Sequence, residues 1–161
     1  MCAKMAWNAV GEFGWGEYAL PTELIRELVR RSYEVYDLGN RAFVLDLFDD
    51  EIEWVFHLPP GLIPIPTRVR GKAAVIAALM KIDEVFDHIR NDLELILVDG
   101  DQAVVIVNRT VRRRASGEIM TSKVAAFHRY RDGRLVEYQA FTDGADVLHQ
   151  AMRGATGAPA A

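Results

Sequence analysis

The side chains best suited to moving a proton at neutral pH are the four histidines, His57, His88, His128 and His149. A histidine has an unperturbed pKa of about 6.5, so it can serve as a general base or a general acid near pH 7. The histidines do not form a spaced metal-binding motif such as H-x-x-x-H, and the single cysteine, Cys2, cannot build a thiolate site. The sequence therefore predicts no metal and no cofactor, and favours proton-transfer chemistry.

Two of these histidines are predicted to be catalytic. His57 ends an apolar run and precedes a Pro-Pro pair; its structural alternative is a core histidine that is hydrogen-bonded to a neighbouring carbonyl. His88 lies beside Asp87 at a predicted helix-to-strand junction, where the C-terminus of the helix alone would favour an imidazolium. We predict His57 as the base or acid and His88 as a second acid or base, and both structural alternatives stay open.

Polar residues within apolar segments are the candidates for contact with a substrate. Asn108 follows the apolar stretch 104–107, and a buried amide must find a hydrogen-bond partner in protein, water or ligand. His128 shares its strand parity with Tyr130 and could point inward, although a surface position at the strand end is an equal alternative. Tyr33 and Tyr36 could be proton donors or core residues with satisfied hydroxyls. The predicted substrate-binding residues are Tyr33, Tyr36, Val55, Asn108, Ala126, His128, Tyr138 and Ala140.

The clearest structural pattern is a hairpin that spans residues 121–143. Asp132-Gly133 separates two apolar runs, and this dipeptide is a strong hairpin signal because glycine adopts a positive φ without a Cβ clash. Alternate residues of a strand point to the same face of a sheet. One face of the hairpin should therefore carry Val124, Ala126, His128 and Tyr130 from the first arm, and Val136, Tyr138 and Ala140 from the second.

Upstream of the hairpin, the spacing of apolar residues predicts helices first and strands afterwards. Helices are predicted at about 22–38, 41–48, 72–86 and 144–152, and strands at 51–58, 89–98, 102–113, 119–131 and 134–142. This order is typical of an α+β fold in which a curved antiparallel sheet wraps around N-terminal helices. Such a sheet closes incompletely, so we expect a cone with a mouth that can hold a ligand.

Length and composition predict a single domain whose overall charge does not recruit a partner. We predict an N-terminal extension at 1–20, a single domain at 21–153 and a flexible tail at 154–161. The net charge of −4 supplies no overall field that would recruit nucleic acid or an anionic membrane. No apolar run approaches the roughly 20 residues needed to cross a bilayer, and the N-terminus lacks the pattern of a signal peptide. A cytoplasmic protein is therefore expected.

Three segments of the sequence resemble one protein family. They are LDLFDDEIEW at 45–54, VRGKAAV at 69–75 and HRYRDGRLVEY at 128–138. Their order and spacing resemble the SnoaL-like group of the nuclear transport factor 2-like superfamily, which includes ketosteroid isomerases, limonene epoxide hydrolase, scytalone dehydratase and polyketide cyclases. The resemblance covers about residues 21–153. It implies a cone-shaped α+β barrel with a pocket inside, usually dimeric through the outer face of the sheet.

The resemblance also implies where an isomerase site would lie. The base carboxylate of the isomerases corresponds to His57 or its neighbour, at the mouth of the family pocket. Their protonated carboxylic acid corresponds to Ala126, and their tyrosine donor falls near Ser32, one residue from Tyr33. The resemblance therefore supplies an isomerase pocket without the isomerase carboxylates.

Two other family sites can be placed in the same way. The Asp-Arg-Asp set of the epoxide hydrolase falls near Asn108, Thr110 and Ala140, so no carboxylate remains there. The acidic residue of the polyketide cyclases has no obvious counterpart either. The dehydratase histidine that follows the third helix has its match in His88.

The residues and the resemblance together predict an enzyme that acts by proton transfer. It would isomerise, dehydrate or cyclise a small hydrophobic carbonyl or hydroxyl compound, with His57 moving the proton while Asn108 and a tyrosine hold the oxyanion. The alternative is a non-catalytic binding protein, favoured if His57 and His88 both point away from the cavity. A scaffold with a filled cone is a third alternative.

The hairpin also predicts how copies of the chain associate. Strand 119–131 carries apolar residues on both faces, Val124 and Ala126 on one, Ala125 and Phe127 on the other. A sheet that is apolar on both faces needs a second layer outside the cone. We therefore predict a homodimer that forms through the strands 102–113, 119–131 and 134–142.

Overall fold

The computed structural model describes residues 21–58 and 66–143. Its helices are α1 (Thr22–Asp37), α2 (Arg41–Asp46) and α3 (Lys72–Val85). Its strands are β1 (Phe48–His57), β2 (Arg68–Arg70), β3 (Phe86–Asp99), β4 (Gln102–Arg113), β5 (Ile119–Arg131) and β6 (Arg134–Thr142). The predicted extension 1–20, the loop 59–65, the closing helix 144–152 and the tail lie outside the described residues.

The six strands form one mixed sheet in the order β2-β1-β6-β5-β4-β3. β1 runs parallel to β6, and all other neighbouring strands are antiparallel. The sheet curves without closing, and the helices cover its concave face. This arrangement confirms the predicted α+β cone.

Helix α1 forms because its apolar residues recur at the spacing of a helical face. Ile25, Val29 and Tyr33 follow one another four residues apart, and all three are buried against the sheet. The helix packs along β3, where the Arg26 Nη1 donates a hydrogen bond to the carbonyl of Ile96 at 2.9 Å. The chain leaves the helix through Gly39, whose φ of +80° suits a residue without Cβ. This packing directs Tyr33 toward the concave face.

The β5–β6 hairpin turns at Asp132-Gly133, as predicted. Both residues have positive φ, 51° and 75°, as a two-residue primed turn requires. The register shifts between Arg129 and Tyr130, because Tyr130 pairs with Leu135 while Arg129 pairs with Glu137. Leu135 is consequently buried, and Val136 is the unpaired residue of a bulge. The prediction that Val136 shares the inward face is therefore wrong.

Several element boundaries differ from those predicted. β1 begins at Phe48, three residues earlier than predicted, and β3 begins at Phe86, directly after α3. β2 was not predicted, because three residues are too few to establish a strand pattern. None of the helices in the described part of the chain is long and apolar enough to span a membrane.

Candidate functional site

A cavity of about 220 Å³ lies between the concave face of the sheet and the three helices. Most of its wall is apolar and comes from α2, α3, β1 and the start of β6. The polar and hydroxyl-bearing residues of the described wall are Ser32, Tyr33, Tyr36, Arg41, Asp83, Asn91, Arg109, His128, Tyr130 and Tyr138. The cavity therefore surrounds an apolar space with a few polar groups.

His128 lies in the wall because β5 directs every second side chain inward. Its Nδ1 is 3.2 Å from the Tyr130 hydroxyl, and its ring contacts the rings of Tyr33 and Tyr138 at centroid distances of 6.2 and 5.2 Å. Burial lowers the pKa of His128 to about 4, so the imidazole is neutral at pH 7. Its Nε2 has no hydrogen-bond partner among the described residues, and the same holds for the buried Nε1 of Trp54.

The tyrosines of the cavity are hydrogen-bond donors at neutral pH. Burial raises the pKa of Tyr33 well above its usual value, the adjacent Tyr138 raises it further, and the Arg109 guanidinium lowers it. Burial also raises the pKa of Tyr36 and of Tyr130. Their hydroxyls therefore keep their protons and present O–H groups to a bound molecule.

Arg109 is the cation of the cavity that no described carboxylate neutralises. Burial lowers the pKa of Arg109, but Tyr138, Tyr33 and Tyr36 raise it by more, so the guanidinium stays charged at pH 7. Its Nε donates a hydrogen bond to Asn91 Oδ1 at 3.4 Å. No signal in the sequence separated Arg109 from Asn108, because residues 104–107 are apolar at every position and show no alternation.

The second arginine of the wall is already paired. Arg41 forms an ion pair with Asp83, and its guanidinium lies 5.1 Å from the centre of the Tyr36 ring. Asp83 supplies the carboxylate of the described wall, and this pairing engages it. The charge available to a ligand in the described cavity is consequently the positive charge of Arg109.

His57 lies outside the cavity, so the predicted location is wrong. β1 directs Trp54 and Phe56 inward and places His57 on the convex face. There its Nε2 is 2.9 Å from Gln139 Oε1, and its ring stacks on Phe141 at 3.9 Å. The physical reason is the strand period of two, because a one-residue error in parity moves a side chain to the opposite face.

Asn108 and Val55 also lie on the opposite side of the sheet from the cavity, against the prediction. Asn108 Nδ2 donates a hydrogen bond to Glu94 at the surface, at 3.2 Å, while its neighbour Arg109 enters the cavity. Val55 is buried, but it alternates with the inward-facing Trp54 and does not line the cavity. The same parity error accounts for both positions.

The remaining predicted residues divide into two groups. Tyr33, Tyr36, His128 and Tyr138 line the cavity. Ala126 and Ala140 face inward as predicted and are fully buried, but they belong to the core and not to the cavity wall.

His88 lies beside the cavity and not in its described wall. Its Nε2 is 2.7 Å from Asp37 Oδ1, and its ring meets the edge of Tyr36, a wall residue, at 4.8 Å. The side chain is 12% exposed. His88 is therefore held in a His–Asp pair at the end of α1. Its catalytic role stays a prediction.

Metal binding has no support in the described residues, which contain no group of three or more His, Cys, Asp or Glu that could hold an ion. The described residues form a small apolar cavity with hydroxyl donors, a neutral imidazole and the Arg109 guanidinium, which no described carboxylate neutralises.

Comparison with known families identifies the fold's relatives. The model of the SnoaL-like domain matches residues 29–138, which is more than half of the chain. The chain belongs to the SnoaL-like domain family. The resemblance found in the sequence is thereby confirmed. No curated protein sequence matches the chain.

Solved structures show the same SnoaL-like fold. An NTF2-like protein of unknown function from Burkholderia pseudomallei is 23% identical with a TM-score of 0.68, and the match covers 77% of this chain and 94% of that one. A protein from Rhodopseudomonas palustris that was proposed to be an isomerase is 23% identical with a TM-score of 0.64, covering 69% and 82%. TerC, co-crystallised with polyporic acid, is 20% identical with a TM-score of 0.67, covering 79% and 96%. At these identities the likeness establishes the fold alone.

The low pKa of His128 predicts a pH-dependent stability of this SnoaL-like domain. The histidine pKa is about 6.5 in an unfolded chain and about 4 in the folded one. Between these values the unfolded chain binds a proton that the folded chain does not, so His128 lowers stability as the pH falls. Its contribution to the slope of unfolding free energy is at most about 1.4 kcal/mol per pH unit.

The measurement is urea unfolding of the wild type and of His128→Gln across this pH range. Glutamine keeps a polar side chain of similar size but does not titrate, so the wild type should lose stability faster than the variant below about pH 6.5. Parallel curves would show that His128 binds its proton equally well in the folded and unfolded chains.

Proposed function

We propose that this chain binds a small, mostly apolar molecule through an anionic oxygen and catalyses a proton transfer on it without a cofactor. The observation that carries the proposal is the location of the Arg109 guanidinium, which faces the apolar cavity without a described carboxylate partner. The anionic oxygen either belongs to the free molecule or develops as an enolate during the reaction.

The electrostatics of the wall favour an acceptor oxygen at Arg109. A desolvated cation is costly unless an opposite charge or several hydrogen bonds compensate it. Arg109 has tyrosine hydroxyls and an amide as neighbours, and these are neutral groups. An oxygen anion would supply the missing charge, and the hydroxyls of Tyr33 and Tyr138 can donate hydrogen bonds to it as well.

The apolar wall favours a molecule of one or two rings. The residues of α2 and α3 around the cavity are predominantly aliphatic, and its volume is about 220 Å³. The co-crystallisation of the structural relative TerC with polyporic acid supports small-molecule binding by this fold.

The proposed proton transfer uses the pair of His128 and Tyr130. A carbon-bound proton next to the substrate carbonyl passes to the Tyr130 oxygen, while the Tyr130 hydroxyl proton passes to His128 Nδ1, 3.2 Å away. The electrons of the broken C–H bond form the enolate, whose oxygen is stabilised by Arg109. The imidazolium then returns the proton to another atom of the substrate. This proposal places at His128 the role that the sequence predicted for His57.

The alternative is a binding protein that performs no chemistry. Burial makes His128 a weak base, with a pKa of about 4, and the carboxylate of the described wall, Asp83, is paired with Arg41. A general base works best when its pKa lies near the operating pH. This observation favours binding alone, and the two functions differ in whether a bound ketone exchanges its protons.

The binding half of the proposal is tested with 2-naphthoate and its uncharged counterpart 2-naphthamide. Wild-type protein should prefer the anion, and Arg109→Gln should weaken naphthoate binding roughly 10- to 100-fold, as expected for losing a hydrogen bond to a charged group. Naphthamide binding should change little. Isothermal titration calorimetry gives both dissociation constants.

Arg112→Gln is the matched control, because it removes the same charge from the same strand. Arg112 is exposed and paired with Asp87 at 3.0 Å, so this variant should bind naphthoate like the wild type. An equal loss in both variants would mean that only the overall charge matters, and no loss in Arg109→Gln would reject the anion site.

The catalytic half is tested by deuterium exchange into the methyl group of 2-acetylnaphthalene. In D₂O the wild type should accelerate the loss of the methyl proton signal, measured by NMR, above the rate in buffer. A positioned acid or base typically contributes 10²- to 10⁴-fold, so His128→Gln should lose about that factor. Binding of naphthoate without any accelerated exchange would favour the non-catalytic alternative.

We also propose that two copies of the chain associate through the convex face of the sheet. Two rows of neighbouring residues cross this face, and their apolar members are Leu95, Leu97, Val104, Ile106, Ala125, Phe127 and Phe141. Phe127 and Phe141 are 44% and 41% exposed and pack edge to face. Two charged pairs lie beside the rows, one on each side: Arg129 with Glu137, and Lys123 with Glu94. An apolar centre with a charged border is typical of protein interfaces.

The dimer is tested by measuring mass in solution at micromolar concentration with light scattering. The wild type should have twice the chain mass of 18.1 kDa, and Phe127→Asp should shift it toward the monomer because a charge enters the apolar centre. Leu38→Asp is the control, because Leu38 is 80% exposed at the end of α1, a helix that covers the concave face and not the convex face. A monomeric wild type would reject the interface.

A further inference from the structure

A chain of hydrogen bonds connects the end of α1 to the guanidinium in the cavity. Asp37 Oδ2 accepts from the backbone N–H of Asn91, and Asp37 Oδ1 accepts from Asn91 Nδ2, both at 2.9 Å. Asn91 Oδ1 in turn accepts from Arg109 Nε at 3.4 Å. Among the described residues, Asn91 therefore links the carboxylate of Asp37 to the guanidinium of Arg109.

The chemistry of the partners determines which way the Asn91 amide points. A carboxylate can only accept hydrogen bonds, so the NH₂ group of Asn91 must face Asp37. Its carbonyl oxygen is then directed to Arg109, whose guanidinium can only donate. With two bonds from one residue to Asp37, the amide has little freedom to rotate.

Asp37 occupies a position that would otherwise be unfavourable for a carboxylate. It is the last residue of α1, and the C-terminus of a helix carries a partial negative charge. Three donors compensate, the two N–H groups of Asn91 and the Nε2 of His88 at 2.7 Å. Asp37 thus interacts with Asn91 and His88, and it leaves the charge of Arg109 uncompensated.

We propose that Asn91 is the positioning residue of the anion site and that Asp37 holds it in place. By accepting the Nε–H of Arg109, Asn91 turns the two terminal nitrogens of the guanidinium toward a ligand, in the forked geometry that suits a carboxylate. This inference rests on the proposed anion site, and it adds the residues that orient it.

The test measures how strongly each variant prefers 2-naphthoate over 2-naphthamide. Asn91→Ala should reduce this preference roughly 2- to 10-fold, less than Arg109→Gln does because the charge itself remains, and it should weaken naphthamide binding less than naphthoate binding. Asn91→Asp, which is nearly isosteric, should reduce the preference further, because the new carboxylate would neutralise Arg109 and repel Asp37. Asn108→Ala is the matched control, because Asn108 is the asparagine on the opposite face of the sheet.

A double variant separates positioning from a general structural effect. If Asn91 acts through Arg109, then Asn91→Ala should cause no further loss of preference in the Arg109→Gln background. An unchanged preference in both Asn91 variants, with a loss in Arg109→Gln, would overturn this inference and keep the proposed function. Equal weakening of both ligands in Asn91→Ala would also overturn it. An unchanged preference in Arg109→Gln would reject the anion site itself.

Discussion

The alternation of side chains along four strands determines which residues can enter the cavity. β1, β4, β5 and β6 direct alternate residues to the concave face, except at irregularities such as the bulge at Val136, and the helices cover that face. A polar residue at an inward position must therefore lie in the apolar core or border the cavity. Arg109, His128 and Tyr138 occupy such positions, next to inward residues that are fully buried, such as Val107 and Ala126. The polar site and the apolar core are built on the same strands and cannot be placed independently.

The burial of the site determines the protonation states of its residues. Burial disfavours the charged form of a titratable group, so Tyr33, Tyr36 and Tyr130 keep their protons and His128 is neutral at pH 7. Arg109 stays charged because a guanidinium has too high a pKa for burial to remove its proton. Beside the paired Arg41 and Asp83, the described wall therefore holds one uncompensated charge, Arg109, among neutral groups.

Local sequence signals predicted the helices, strands and turns well, but they predicted poorly which face of the sheet each strand residue occupies. The Asp132-Gly133 turn and the α1 periodicity each depend on residues within one element, so they could be identified without tertiary context. The parity of β4 could not be identified in this way, because residues 104–107 are apolar on both faces and show no alternation. A one-residue error in β4 led to the prediction that Asn108, and not Arg109, faces the cavity. The bulge at Val136 likewise depends on pairing between strands, which no single strand encodes.

The sign of the charge in this cavity separates it from the family sites that the sequence resembles. The isomerase, epoxide hydrolase and polyketide cyclase sites in that resemblance use carboxylates, which act as bases or, when protonated, as donors to an oxyanion. Here the described wall holds one carboxylate, already paired with Arg41, and its other polar groups are the Ser32 and tyrosine hydroxyls, a neutral imidazole, an amide and the Arg109 guanidinium. Such a wall is rich in hydrogen-bond donors, so it complements a molecule that is rich in acceptors. Replacing inward residues changes this complementarity without altering the backbone pairing that forms the sheet, because ladder hydrogen bonds involve only main-chain atoms. The same fold can therefore present sites of different charge, and the inward residues of this chain are the basis for the oxygen anion that we propose as its ligand.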